Sequence, residues 1–197
     1  DENNASESIF GNEVKSETIY SGFAEVDITP EIGMERPGNY MKVFHKSFHD
    51  PCKVRVVVFD DTNKRTAIVS IDALSIPRSL ALSAREKIEA RCGIRGEAVL
   101  IAASHSHSSG PLGRVQPGEY DHADPFVRSL AYDHTTCADK KYLEHVEKSI
   151  VEAVCEADKM RTESVMGVGY GYEEKAGANR RFHMKNGLIY TLSLIHI

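Results

Sequence analysis

The sequence predicts an α/β fold, a mixed sheet carrying a β-hairpin and a parallel strand–helix–strand crossover, with helices packed on the sheet. Three observations predict it. Val54, Val56 and Val58 alternate with Arg55, Val57 and Phe59 in one strand-like run, and Thr66 to Ile71 returns after an Asp61-Thr62-Asn63 turn. Leu80, Ala84 and Ile88 then recur at helical spacing. Val99 to Ala103 is a short apolar run of the kind expected of a strand buried on both faces.

The chain has 197 residues, enough for one domain with a real core. Hydrophobic residues make up 41% and charged residues 27%, the balance of an ordinary globular protein. The net charge is -5 with no Lys/Arg block, so nothing points to nucleic acid as a partner. No run approaches the length of a membrane span, and the acidic start, Asp1-Glu2-Asn3-Asn4, is not a signal peptide. Cys52, Cys92, Cys137 and Cys155 form no Cys-x-x-Cys pair; Cys92 and Cys155 read as small core residues, and pairing stays open.

In chain order, residues 1 to 18 are polar and acidic and are expected to be a disordered extension. Ile19 to Ile28 suits a first strand, and Glu31 to His49 a loop carrying His45 and His49. Lys53 to Asp60 and Thr66 to Ile71 form the hairpin. Asp72, at its end, reads either as a helix cap or as part of a site. Pro77 is placed as a first helical residue, and Gly93 as the helix's C-terminal cap. Strand, helix, strand implies a right-handed parallel crossover, which brings the ends of Ile71 and Ala103 to one edge and makes Asp72 and His105 neighbours.

Leu112 to Ala138 shows no period and is expected to be a long loop. Its His122, His134, Asp121, Asp124 and Asp133 read as solvated residues rather than ligands. Asp139 caps a helix from Lys140 to Ala157 whose Leu143, Val146, Ile150 and Val154 face the core. Ser164 to Tyr172 alternates glycine with larger residues and is read as a strand with one face kept clear. His183 to Tyr190 reads as a hairpin turning at Asn186-Gly187. The last six residues, Leu192 to Ile197, match an in-frame translation of a transposon-end sequencing adapter. They are expected to be foreign, with the natural chain cut near Thr191 and His196 without function.

The candidate chemistry sits at Ser104-His105-Ser106-His107-Ser108-Ser109-Gly110-Pro111. A strand that stops at small polar residues and Gly-Pro places His105 and His107 where open α/β sheets carry ligands. If the backbone is still extended there, period two points both imidazoles the same way, about 7 Å apart at Cα. Imidazole is the commonest metal ligand, but zinc needs at least three protein ligands and this segment offers at most two.

Four segments in the same order carry a resemblance. They are Gly22-Phe23-Ala24-Glu25-Val26-Asp27-Ile28-Thr29-Pro30, His49-Asp50-Pro51, Val69-Ser70-Ile71-Asp72, and the two-histidine segment; Asn179-Arg180 adds a fifth. Together they resemble the N-terminal catalytic domain of the neutral/alkaline, non-lysosomal ceramidases, over about residues 20 to 185. The resemblance implies a zinc amidohydrolase that cleaves the amide of N-acylsphingosine into a sphingoid base and a fatty acid. It implies that His105 is a zinc ligand, His107 an active-site residue, Arg180 a substrate contact and His49 part of the pocket wall. It also implies a lipid amide substrate, with peripheral membrane contact left open, and an extracellular or periplasmic location. An extra serine stands between His107 and Gly110-Pro111. The family's other zinc ligands, a second His, a Glu and a Tyr, lie C-terminal to these segments, so the resemblance implies that this piece alone binds zinc poorly and is inactive. Two other readings stay open: a two-metal phosphoesterase using His105, His107, Asp72 and His49, and a non-catalytic module on the same scaffold.

Overall fold

The computed structural model describes residues 18–39, 41–175, 177, 179 and 181–191. Residues 1–17 of the expected 1–18 extension, the tail over 192–197 and Arg180 lie outside the described residues. The chain divides into two units, Asp1–Val165 and Met166–Ile197.

The first unit is a five-stranded mixed sheet with helices packed on it. Strand β1 (Ile19–Asp27) pairs antiparallel with β2 (Lys53–Asp60), and β2 antiparallel with β3 (Arg65–Ile71). Helix α1 (Arg78–Cys92) then crosses over to β4 (Val99–Ala103), which lies parallel to β3 with Ala67 opposite Val99 and Ile71 opposite Ala103. A short strand, β5 (Thr162–Ser164), closes the other edge beside β1, giving the order β4-β3-β2-β1-β5. Residues one apart along a strand face opposite sides of the sheet. Val54, Val56 and Val58, with Ala67, Val69 and Ile71, put one side into the core, where Leu80, Ala84 and Ile88 of α1 join them. The long helix α3 (Lys140–Lys159) completes that core with Val146, Ile150 and Val154; Leu143 is half-buried against it. Asp139 starts α3 as expected, its Oδ1 accepting from Tyr142 N at 2.8 Å. Gly93 ends α1 at φ 72°.

Four expectations need correction. Strand β4 is not buried on both faces: it is the sheet's edge, helices cover one side only, and Leu100 is 54% exposed. Its apolar character reflects a cross-strand row on the open face, Phe23–Val57–Ile68–Leu100, in direct register. Pro77 is the cap of α1, in extended backbone (φ -61°, ψ 138°), and Arg78 is the first helical residue. The 112–138 stretch holds a helix, α2 (Pro125–Tyr132), begun by Asp124, whose Oδ1 accepts from Phe126 N (2.9 Å) and Val127 N (3.2 Å). Phe126 with Leu130 and Val127 with Ala131 stand four apart and mark one apolar face, although only Ala131 of that helix is buried. The expected strand over Ser164 to Tyr172 reduces to β5: beyond Ser164 no ladder partner occurs among the described residues, and Gly167, Gly169 and Gly171 offer no side chain to pack.

The second unit contains the expected hairpin, β6 (Arg181–His183) antiparallel to β7 (Ile189–Thr191). Gly187 N donates to Met184 O and Met184 N to Leu188 O, both at 2.9 Å, with Gly187 at φ 81°. This is a type I turn followed by a left-handed glycine.

The two faces of the sheet should differ in what a truncation costs. Ile71→Ala, at a fully buried position, is expected to lower stability by about 2–5 kcal/mol. Leu100→Ala on the open face should cost about 1 kcal/mol or less. Urea unfolding of the two variants measures both.

Candidate active site at the edge of the sheet

The site is built where β3 and β4 end together. Beyond the last pair, Ile71 and Ala103, the two chains stay linked: Ser104 N donates to Ile71 O (2.9 Å) and Ser106 N to Ala73 O (3.0 Å). The backbone is not extended, as the period-two expectation requires. His105 has φ 63°, in the left-handed region that few residues other than glycine occupy. Such strain persists only where surrounding bonds fix it, and here the two flanking serine amides supply them.

Both imidazoles are held by one nitrogen. His105 Nδ1 donates to Leu74 O at 2.9 Å, and His107 Nδ1 donates to Gly38 O at 2.9 Å. A carbonyl oxygen can only accept, so each Nδ1 carries the proton and each neutral ring presents Nε2 as a free lone pair. The ring centroids lie 5.0 Å apart with the planes 82° to one another, and both side chains are exposed. Backbone carbonyls of this kind fix tautomer and orientation in metal-binding histidines. The contact at Gly38 requires glycine: φ is +89°, and an added Cβ would stand 2.4 Å from His107 Cγ.

The remaining predicted residues are placed as follows. Asp72 neither caps a helix nor meets His105. Its amide donates to Lys53 O (2.9 Å), and its Oδ2 accepts from Lys53 N (3.0 Å) and from an Arg55 terminal nitrogen (2.9 Å), fastening the start of β2 to the end of β3. His49 borders a cavity of about 450 Å³ with Asp72, Ser106 and Ser108; neither His105 nor His107 lines it. A smaller hollow of about 130 Å³ is lined by Gly38 and Leu74, whose carbonyls anchor the two histidines, and by Arg114. Burial pushes the Cys52 thiol up, and the carboxylates of Asp72 and Asp27 add to that, which disfavours the thiolate. Among the described residues, no three His, Cys, Asp or Glu side chains stand close enough to share a metal ion.

Sequence reasoning missed the supports. His45 is buried, donates from Nε2 to Ser109 O at 2.9 Å and lies 4.5 Å from the Phe48 ring. Tyr142, on α3, packs where a Cβ on Gly110 would fall and donates its hydroxyl to Ile28 O at 2.6 Å. Leu74 and Gly38 act through backbone carbonyls, which no side-chain pattern reveals. The left-handed glycine in Pro37-Gly38 was the one readable signal.

No protein-family model and no curated protein matches the sequence. The fold does match solved structures, and its class is that of a ceramidase-like fold. One is a neutral ceramidase from Pseudomonas aeruginosa, at a TM-score of 0.58 and 20% identity, covering 74% of this chain and 22% of that one. Another is a ceramidase complexed with C2, at 0.55 and 18%, with the same coverage. The chain therefore spans 22% of the length of the solved structures it matches. Among the described residues no helix is long and apolar enough to cross a membrane.

Two outcomes follow. Gly38→Ala is expected to cost roughly 1–2 kcal/mol from the left-handed backbone alone, and to free His107. Nitrogen-15 NMR of the imidazoles should then show His107 losing its Nδ1–H tautomer while His105 keeps it. Burial also pushes the Tyr142 phenol far above its ordinary value. The folded state thus holds this proton more tightly than the unfolded chain, where it leaves near pH ~10. Its contribution is complete below that pH and is lost as pH rises further. Tyr142→Phe should flatten this alkaline loss in pH-dependent unfolding. At neutral pH it should cost about 1–3 kcal/mol, because the Ile28 carbonyl loses its partner.

Proposed function

We propose that the chain is the N-terminal part of a ceramidase-like zinc amidohydrolase, cleaving the amide of an N-acylsphingosine-type lipid into a sphingoid base and a fatty acid. The observation that carries this reading is the histidine pair: two rings 5.0 Å apart, each tied through Nδ1 to a carbonyl, each with Nε2 open. The ceramidase-like fold supports it.

The donor chemistry suits zinc, which favours neutral imidazole nitrogen, but the described residues supply fewer than the three protein ligands a catalytic zinc takes. His105 would be the ligand contributed here. Zinc supplies a water acidified to a pKa near ~7 and a polarised amide carbonyl. His107 holds or moves a proton at Nε2, and its bond to the Gly38 carbonyl steadies the ring when it becomes cationic. Arg180, outside the described residues, takes the substrate-contact role that the resemblance gives it. His49 lines the adjoining cavity. A location outside the cytoplasm and transient contact with a membrane surface belong to the same proposal. The two-metal phosphoesterase reading lacks a geometric basis: Asp72 is engaged by Arg55 and Lys53, and His49 lies in a cavity that the histidine pair does not line.

The test is a cobalt(II) titration followed by absorbance, with hydrolysis of a fluorescent ceramide. This chain alone should bind cobalt weakly and release no fatty acid, and His105→Ala should abolish the binding. In a protein carrying the complete catalytic domain, His107→Ala should lower turnover by roughly 10²–10⁴-fold with metal content retained. Unchanged metal content and activity after His105→Ala in that longer protein would favour the non-catalytic module.

A further inference from the structure

The 31–49 stretch, expected as a plain loop, folds back on itself as a small antiparallel ladder. Gly33 N donates to His45 O (2.9 Å), His45 N to Met34 O (2.9 Å) and Arg36 N to Val43 O (2.7 Å), with Glu35 bridged to Phe44. Neighbouring residues of such a ladder point to opposite sides. Glu35 turns to Lys42, whose ammonium it accepts at 2.6 Å, and to Cys137 N at 2.8 Å. Arg36 lines the other side, in the wall of the cavity of about 450 Å³.

Nothing described answers the charge of Arg36. Its Nε is buried and has no hydrogen-bond partner, and no ion pair involves it among the described residues. The carboxylate next to it in sequence, Glu35, is taken by Lys42. Of the two acids in the same cavity wall, Asp72 is held by Arg55 and the Lys53 amide, and Asp50 is exposed. The rest of the polar wall, Ser47, His49, Ser106 and Ser108, carries hydroxyls and an imidazole that can turn a donor toward an anion. A guanidinium with an orphaned Nε–H costs free energy unless something accepts from it. The group whose shape matches its planar fork is an oxyanion, bound end-on through two parallel N–H···O bonds from the two terminal nitrogens, which unlike Nε are not shut off from the cavity.

We infer that this cavity is an oxyanion subsite, with Arg36 as its cation and the His49 and serine donors closing around the ligand. The ligand is a small carboxylate or phosphate group. The two sources differ in chemistry: a carboxylate is what amide cleavage releases, and a phosphate is what a lipid headgroup or the solvent offers. The subsite stands independently of the zinc reading, because it is read by anion binding rather than by hydrolysis, and it does not use the histidine pair.

The test uses this chain in low-salt buffer, titrated separately with sodium octanoate and with inorganic phosphate. The readouts are calorimetry and the Nε–H resonances of the arginines. The expected result is saturable one-site binding of at least one anion, with the Arg36 Nε–H signal shifted as its terminal nitrogens engage the ligand. Octanoate binding with phosphate silent identifies the acyl carboxylate; the reverse identifies a phosphate group. Arg36→Lys keeps the charge but loses the fork, and should bind roughly tenfold more weakly or worse. Arg36→Gln should lose the binding, while Arg95→Gln, at an exposed arginine paired with Glu97, should not change it. If Arg36→Gln unfolds by circular dichroism, the Arg36→Lys comparison and the Nε–H signal decide. No saturable binding of either anion, or equal binding by wild type and Arg36→Lys, overturns the proposal.

Discussion

The parallel pairing of β3 with β4 is the constraint from which the site follows. It sets Ile71 opposite Ala103 and then continues past both strands, through the amides of Ser104 and Ser106 bonded to the carbonyls of Ile71 and Ala73. Those two bonds hold the chain on either side of His105 in a backbone it would otherwise avoid. They also carry the segment after β3 close enough for the Leu74 carbonyl to meet His105 Nδ1. The valine-rich interior of β2 and β3, pressed against α1 and α3, is what makes this edge rigid enough to hold a strained residue.

The second anchor comes from a different part of the chain. Gly38 lies in the connection between the two arms of the ladder, 33–36 and 43–45, which is tied to the far side of the site by His45 Nε2 donating to Ser109 O. The histidine segment is therefore clamped from both sides: at its start by the end of β3, and at its finish by the ladder and by Tyr142 of α3 against Gly110. Side chains that look unrelated in sequence thus share the work of fixing two imidazole rings.

Strands, α1, α3 and the crossover were legible because each carries a period with its own terminator: alternating valines, Leu80-Ala84-Ile88 before Gly93, Asp139 before an apolar stripe. The edge position of β4 was not, because an apolar run says nothing about how many of its faces are covered; a second apolar row on the open side looks the same as a buried strand. Helix α2 was hidden by its shortness. Its start, Asp124-Pro125, is a clear signal, and Phe126 with Leu130 and Val127 with Ala131 recur four apart, but a helix of 8 residues repeats that spacing only once. The two histidines were found for a reason the structure revises. Alternation suggested that they share a face, yet the backbone breaks alternation at His105, and it is the carbonyls of Leu74 and Gly38 that bring the rings together.

A difference in how acids and histidines are used decides what chemistry this edge can host. Three acids near it are engaged with backbone amides: Asp72 with Lys53, Asp27 with Thr29 at 2.7 Å, Asp139 with Tyr142. The bond from the Thr29 amide, ahead of its hydroxyl and Lys53, holds the Asp27 carboxyl below its ordinary range. For Asp72 to serve a cation, it would have to turn from Arg55 and loosen the junction of β2 with β3 that shapes the cavity wall. An imidazole meets no such conflict. It spends one nitrogen on a carbonyl and, through that bond, makes the other a better donor. Nitrogen ligation by His105 is thus compatible with the fold as it stands, whereas carboxylate ligation by Asp72 would oppose it.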